Sequence, residues 1–334
     1  MTLAVGGMGL VSPFGLSPRE HVFFHRAHVP GPFPSPFVGA DEAPVRVFFC
    51  PWLDAALPVA ERMAALASTA LDTALLAFTA TAAPPPALWL CLARARPGLD
   101  ARTHEEITEA LRRRYAPPST KAFWAEAGVF AALKEAEHEL SRNDGGAIVL
   151  VAVDSHVSIP YLTHLAENPP TRWESIKPRP SEAAAALLLL SPKRAQQLRL
   201  PVLARIHKSA LAMGTSNDDN DAPADAVAMS AALRELGSGH VSHAFGQAYF
   251  DDLRREEWDR AVARQSTRFW ECQHESVESA IGAVGAASGA ANLVYGAAML
   301  RLGAAEPASR DPFLAWTISR DGTRGVASAS VEPA

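Results

Sequence analysis

Two hydrophobic periods run through this chain. From Val59 to Phe78 the apolar residues Met63, Leu66, Ala67, Ala70, Leu71, Ala74, Leu75 and Phe78 recur at helical spacing. Pro84, Pro85 and Pro86 close that run. Short apolar blocks read instead as buried strands at residues 2–5, Ala87–Leu92, Ala147–Val153 and Ala183–Leu190, with further strands at Val45–Phe49 and 201–207. Ser17-Pro18-Arg19-Glu20 is a capping box with proline at the first helical position, so a helix is predicted to about His28. Further helices are predicted over 103–114, 123–140, 224–236 and 251–264, and from the 278–289 segment to Leu302. Near the end, Ala315–Ile318 and Val326–Ser328 flank the hairpin signal Asp321-Gly322.

Strands alternating with helices predict an α/β protein with largely buried sheets. The length of 334 residues allows one large domain or two halves sharing a core. The proline-rich stretch 169–180 is the expected boundary, giving halves 1–175 and 176–334, with Ala183–Leu190 opening the second. The longest apolar run, Ala183–Leu190, is far short of a membrane span.

Composition narrows the function classes. Hydrophobic residues make up 48% and the formal net charge is −5. With no long block of like charge, nothing steers the chain to nucleic acid or to an anionic membrane. Arg112-Arg113-Arg114 reads as the solvated face of a helix. The three cysteines, Cys50, Cys91 and Cys272, are too few and scattered for a disulfide framework. Reduced thiols and the absence of a cationic leader after Met1 point to a cytoplasmic protein.

Several clusters carry chemistry in principle. His21, His25 and His28 share one helix face, the best metal-like spacing in the chain, although Phe23 and Phe24 beside them fit ordinary packing. His240 and His243 lack a matched carboxylate or thiolate. Cys272 and His274 fall on one face of an extended segment, without a third group to orient them. The acidic loop Asn217–Asp221 lacks the glycine and distal glutamate of a calcium loop. Gly7-x-Gly9-x-x-Ser12 imitates a dinucleotide fingerprint, but Pro13 follows where the helix must begin. No cofactor and no metal is assigned from these patterns.

The segment Glu278-Ser279-Ala280-Ile281-Gly282-Ala283-Val284-Gly285-Ala286-Ala287-Ser288-Gly289 is the most informative stretch. Its small residues allow close approach of another backbone. It resembles the loop Lys-x-x-x-Gly-His-x-x-Gly-Ala-Ala-Gly of β-ketoacyl synthases of the thiolase-like superfamily. Three other landmarks follow in the family's order: Val5–Gly15 as the opening strand and turn, Ala131–Ala136 with Ala147–Ser155 as the nucleophile helix and next strand, and Ser181-Glu182-Ala183-Ala184 as a Gly-Glu-Gly-Ala strand. The resemblance implies two pseudo-repeated α/β halves in a five-layer αβαβα sandwich, and a homodimer.

It also implies where the family's catalytic groups fall. The nucleophilic cysteine falls at Glu126, within Trp124-Ala125-Glu126-Ala127-Gly128. The first histidine falls at His243 or Ala244. The lysine is Glu278 and the second histidine is Ala283. Arg320-Asp321-Gly322-Thr323-Arg324 stands where the family has a glycine-rich phenylalanine gate. Condensation needs a thiolate to carry the acyl chain and imidazoles to stabilise developing charge. The resemblance therefore implies a degenerate, inactive homologue acting as a binding or assembly partner. The expected partner is another synthase subunit, an acyl carrier protein or a secretion component. The alternative is an acyl-thioester decarboxylase or hydrolase using Glu126 and His243. The acidic segments around Asp251-Asp252 and Glu256-Glu257-Trp258 are similar to synthase-like proteins encoded beside type VI secretion genes. The chain is also shorter than usual synthases around 156–180, so a reduced or open pocket is expected.

Overall fold

The computed structural model describes residues 1–28, 37, 46–167, 179–214, 226–247, 252–305 and 311–332. Its strands are β1 (Leu3–Val11), β2 (Ala87–Leu92), β3 (Thr120–Trp124), β4 (Ala147–Ser155), β5 (Glu182–Leu190), β6 (Ala204–Met213), β7 (His243–Gly246), β8 (Gln273–Glu275), β9 (Phe313–Ile318) and β10 (Thr323–Val331). The helices are α1 (Pro18–Arg26), α2 (Val59–Thr79), α3 (Ala101–Tyr115), α4 (Gly128–Arg142), α5 (Ile159–Glu167), α6 (Pro192–Gln197), α7 (Val227–Glu235), α8 (Asp252–Ala263), α9 (Glu278–Ile281) and α10 (Ser288–Arg301). A short 3₁₀ turn, Gly285–Ala287, precedes α10.

The strands lie in the order β3-β2-β4-β5-β1-β6-β10-β9-β7-β8. Read outward from the antiparallel β1–β6 junction, the second five strands repeat the first five in the same topological positions. Thus β5 runs antiparallel between β4 and β1, and β10 antiparallel between β9 and β6. Three apolar cores separate the layers. One packs α2 and α3 on the outer face of the first five strands, around Leu66, Leu71, Leu90 and Ile107. A second surrounds α4 and α10 between the two strand groups, with Trp89, Phe130, Val294 and Phe313. The third packs α7 and α8 on the outer face of the second group, with Met229, Trp258 and Trp316. This is the expected five-layer sandwich of two pseudo-repeated halves.

Residue chemistry explains the close packing. A side chain on Gly7 or Gly9 would bring Cβ to 1.9 or 2.0 Å from the carbonyl oxygens of Ala74 and Ala70, so α2 lies directly on the β1 backbone. Two ion pairs are sealed between helix and strand. Arg62 of α2 meets Glu182 of β5 at 2.6 Å, and Arg324 of β10 meets Glu257 of α8 at 2.7 Å. Glu182 also accepts from the Cys50 backbone N–H and the Ser155 hydroxyl, which satisfies its remaining lone pairs.

Several expectations change. The Ala183–Leu190 block forms β5, antiparallel between β4 and β1. Ser191-Pro192 is not only a stop: the Ser191 hydroxyl caps α6 by accepting from Arg194 N–H. The helix predicted over 123–140 begins at Gly128, because Thr120–Trp124 pairs with β2 as a parallel edge strand. Residues 46–49 form no strand; Phe48 N–H bonds to Pro180 O instead. The fingerprint-like Gly7-x-Gly9 lies inside β1. The acidic loop Asn217–Asp221 lies outside the described residues.

Candidate functional site

The strand ends of both groups meet around the segment between β3 and α4. Ala125 adopts φ +67°, and Glu126 follows before α4 begins at Gly128. Ala125 N–H bonds to Leu92 O at the end of β2. Ala127 N–H bonds to the Ser319 hydroxyl at 2.7 Å, just after β9. Ile318 N–H bonds at 2.9 Å to the side-chain oxygen of Gln247, just after β7. Ligand sites of α/β sheets gather at the C-terminal ends of parallel strands, and here both halves contribute such ends.

A polar network fills this junction. Arg96 forms a two-pronged ion pair with Asp154 and also donates to Ser155 O at 2.9 Å. Its guanidinium lies 4.8 Å over the Tyr161 ring, and that ring stacks on His156 at 5.0 Å. Asp154 further accepts from Ala286 N–H at 2.9 Å. The His156 Nδ1 donates to Ala283 O at 3.0 Å, while its Nε2 stands 3.8 Å from Asp154. Glu126 acts electrostatically on both Arg96 and Tyr161.

Burial raises the Asp154 carboxyl, but the Arg96 charge and the hydrogen bonds from Arg96 and Ala286 N–H outweigh it and hold the group below the ordinary carboxylate range. Burial lowers His156 to about 4 against a smaller pull from Asp154, so the ring is neutral at pH 7. Because Nδ1 faces a carbonyl, it carries the proton and Nε2 holds the lone pair.

Glycine builds the contact surface. A Cβ on Gly285, at φ +50°, would lie 2.1 Å from the Asp154 carboxylate and 2.9 Å from His156 Nε2. One on Gly289 would meet Val129 at 2.5 Å and Phe130 at 2.9 Å. The small residues of 278–289 thus let the start of α10 lie against α4 and against Asp154.

The expected site residues separate into two sets. Glu126 and Ala283 lie at this junction. Glu278 is buried at the start of α9, where its carboxylate accepts Val284 N–H at 3.2 Å and so folds its own loop. His243 begins β7, stacked on Phe245, with Nδ1 bonded to the Ser242 hydroxyl at 3.0 Å. Gln247, not His243, stands at the strand end; four residues of strand put His243 about 13 Å back. Ala244 faces the outer core with Met229 and Trp316. Neither position offered for the first histidine reaches the junction.

The other candidates resolve by their partners. His21 is buried, with Nε2 on the Ser12 hydroxyl and Nδ1 on Ser17 O, which leaves it no metal-binding lone pair. His25 turns to Tyr295. His274 accepts from Trp258 Nε1 at 3.3 Å, and Cys272 turns to Gln273 O. Burial pushes the Cys272 thiol up to about 12 and raises Cys50 and Cys91 as well. Among the described residues no group of three His, Cys, Asp or Glu side chains is placed to hold a metal ion, and no helix is long and apolar enough to cross a membrane. Arg96, Asp154, His156, Tyr161 and Gln247 were not anticipated. The usable signal was polar residues directly following buried strands, as in Asp154-Ser155-His156 after Val153.

No protein-family model and no curated protein matches the chain. Solved structures do. The ishigamide ketosynthase/chain length factor is similar at 20% identity, with 99% of each chain covered and a TM-score of 0.73. The ketosynthase from module 6 of the bacillaene synthase of Bacillus subtilis 168 is 14% identical, with 99% of this chain and 72% of that chain covered, at a TM-score of 0.76. A type II polyketide synthase ketosynthase, bound to the hexaketide in complex with its acyl carrier protein, is 14% identical, with 99% of each chain covered, at 0.72. The mirrored strand order, the paired inner helices and these likenesses agree: the chain carries the fold of these ketosynthases.

Proposed function

We propose that this protein is a ketosynthase-fold chain that does not carry out condensation and serves as a binding or assembly partner. One observation carries the reading. The turn between β3 and α4 presents Glu126, and the three cysteines sit elsewhere with raised pKa values. A carboxylate suits a helix N-terminus, but it does not form the thioester that condensation requires. Ala283 adds no imidazole, and Glu278 is used by its own loop.

The partner is a synthase subunit, an acyl carrier protein or a secretion component. The ketosynthase/chain length factor and the ketosynthase with its carrier protein, among the similar structures, support the first two. Self-association fits the edge strand β3, which pairs only with β2 among the described strands and carries the half-exposed Trp124. A cytoplasmic location is part of this reading, supported by the few, scattered cysteines.

The alternative, acyl-thioester hydrolysis or decarboxylation through Glu126 and His243, loses its histidine to the length of β7. The test is intact-mass analysis and thioester turnover with acyl-CoA and acyl carrier protein, for wild type beside Glu126→Ala. No adduct on Glu126 is expected, and no difference in turnover between the two proteins. Turnover by wild type that Glu126→Ala abolishes overturns the reading. Sedimentation of the purified chain tests the dimer, and a monomer at micromolar concentration removes it.

A further inference from the structure

A second constellation lies away from the network around Glu126. Ser279, on the short α9, is exposed, and its hydroxyl stands 3.5 Å from His25 Nε2 on α1. The other ring nitrogen, His25 Nδ1, is hydrogen-bonded to the Tyr295 hydroxyl on α10. Glu275, at the end of β8, bears electrostatically on that hydroxyl. Elements distant in sequence therefore bring Ser279, His25 and Tyr295 into one chain of polar contacts, with Glu275 beside its far end.

The direction of each hydrogen bond follows from its end. The Glu275 carboxylate has no proton to donate, so the Tyr295 O–H orients towards it. The Tyr295 oxygen then accepts from His25 Nδ1–H. The lone pair is left on Nε2, facing Ser279. Burial, with Arg26 and then His28, lowers the His25 pKa, which keeps the ring neutral and basic at pH 7. Burial also raises Tyr295, so the phenol keeps its proton. At rest the Ser279 hydroxyl donates to Ser276 O at 2.6 Å, and a turn of the O–H about the Cβ–Oγ bond redirects the proton to Nε2. Nucleophile–base contacts are often loose before a ligand binds.

A groove of about 420 Å³ runs between α1 and the end of α10, lined by Arg19, Val22, Phe23, Arg26, Ala27, Leu302 and Ala304; the relay side chains do not line it, and it adjoins them through α1. Arg26 joins groove and relay. It donates to Ala304 O and lies 3.9 Å from Glu275.

We infer that Ser279 is a nucleophile activated by His25, with Tyr295 positioning the imidazole and Glu275 beside it, and that it accepts acyl groups from esters with an apolar acyl chain. In acylation Ser279 Oγ bonds to the carbonyl carbon and its proton passes to His25 Nε2. The old C–O bond breaks and the alcohol leaves with that proton. Water repeats the route and releases the acid.

The test is labelling by an alkyl fluorophosphonate, in which Ser279 Oγ bonds to phosphorus, fluoride leaves and His25 takes the proton. Peptide mapping is expected to place the label on Ser279. General-base loss in His25→Gln is expected to slow labelling roughly a hundredfold. Tyr295→Phe is expected to move the midpoint of the rate–pH profile downward, because the imidazolium loses the hydroxyl between it and Glu275; a packing role alone leaves that midpoint in place. Should His25→Gln fail to fold, carbethoxylation of His25 in the wild type is expected to block labelling equally. No label on Ser279, or an unchanged rate after loss of His25 by either route, overturns the proposal.

Discussion

His156 donates its Nδ1 proton to the carbonyl oxygen of Ala283 across 3.0 Å. A histidine from the end of β4 thus lies against the backbone of the residue where the synthase resemblance implies a histidine side chain. The same loop, three residues on, brings Ala286 N–H to Asp154. Asp154 and His156 therefore pin the 283–286 loop to the first strand group, and Arg96 neutralises the carboxylate that does the pinning. The arrangement is a satisfied polar cluster at the strand-end junction, built by residues of β4 and the loop after β2.

Stability is expected to fall as pH drops from about 6.5 towards 4. Burial lowers both His156 and His21 from 6.5 to about 4. Between those values the unfolded chain binds protons that the folded chain refuses, so the contribution is complete above 6.5 and lost on acidification. The Asp154 carboxyl, held low, adds a loss of the same sign at still lower pH. Each histidine is expected to account for roughly 3 kcal/mol. Urea unfolding at pH 7.5 and pH 4.5 measures this, with His156→Asn expected to reduce the slope. Equal stability at both pH values sinks the argument.

Arg62 and Glu182 are fully buried and meet at 2.6 Å. Removing one member leaves an uncompensated charge, so Arg62→Met is expected to cost about 3–5 kcal/mol. Adding Glu182→Leu to that variant is expected to recover part of the loss, although the Cys50 N–H and Ser155 hydroxyl then lose an acceptor. A double-mutant cycle by denaturant unfolding reads the coupling. Additive single and double effects contradict a shared buried pair.

Much of the scaffold was legible because apolar period reports burial directly. The α2 spacing, the blocks at 87–92, 147–153 and 183–190, and the Asp321-Gly322 hairpin all became elements close to their expected bounds. Strand β3 was hidden because Thr120–Trp124 is an edge strand of mixed polarity, so it lacks a buried block and borders helix-forming residues. The place of β5 was hidden because sheet order is a long-range property that no local pattern records. The site was half legible. Glu126 and the 278–289 loop carry motif spacing, whereas Arg96, Asp154 and His156 are joined only by folding. His243 begins the four-residue β7, while Gln247 follows its end, a placement that a local histidine match does not record.

Gly9→Ala is expected to destabilise the protein severely. The added Cβ would lie 2.0 Å from Ala70 O and 2.8 Å from its carbonyl carbon, and a helix backbone does not yield as a flexible side chain does. The cost is expected to exceed about 3 kcal/mol, the upper range for overpacking. Gly239→Ala, where a Cβ meets nothing within 4 Å, is the control and is expected to change stability by less than about 0.5 kcal/mol. Thermal melts of the two variants decide the point, and similar melting temperatures refute the reading of α2 lying directly on β1.

Glu126→Cys tests whether the β3–α4 turn still forms a nucleophile seat. The introduced thiol would stand at the N-terminus of the 15-residue α4, near the Arg96 charge that acts on Glu126. A helix dipole and a nearby guanidinium both favour thiolate. The native thiols make a clean background, because burial raises Cys50, Cys91 and Cys272, the last to about 12. Alkylation by iodoacetamide at pH 7 is expected at the introduced position at least about tenfold faster than at any native cysteine, following its larger thiolate fraction. Adding Arg96→Met is expected to slow it, provided that circular dichroism shows the fold intact. If the introduced thiol reacts no faster than Cys272, the turn does not activate what it presents, and the proposed correspondence between Glu126 and a synthase nucleophile fails on chemical grounds.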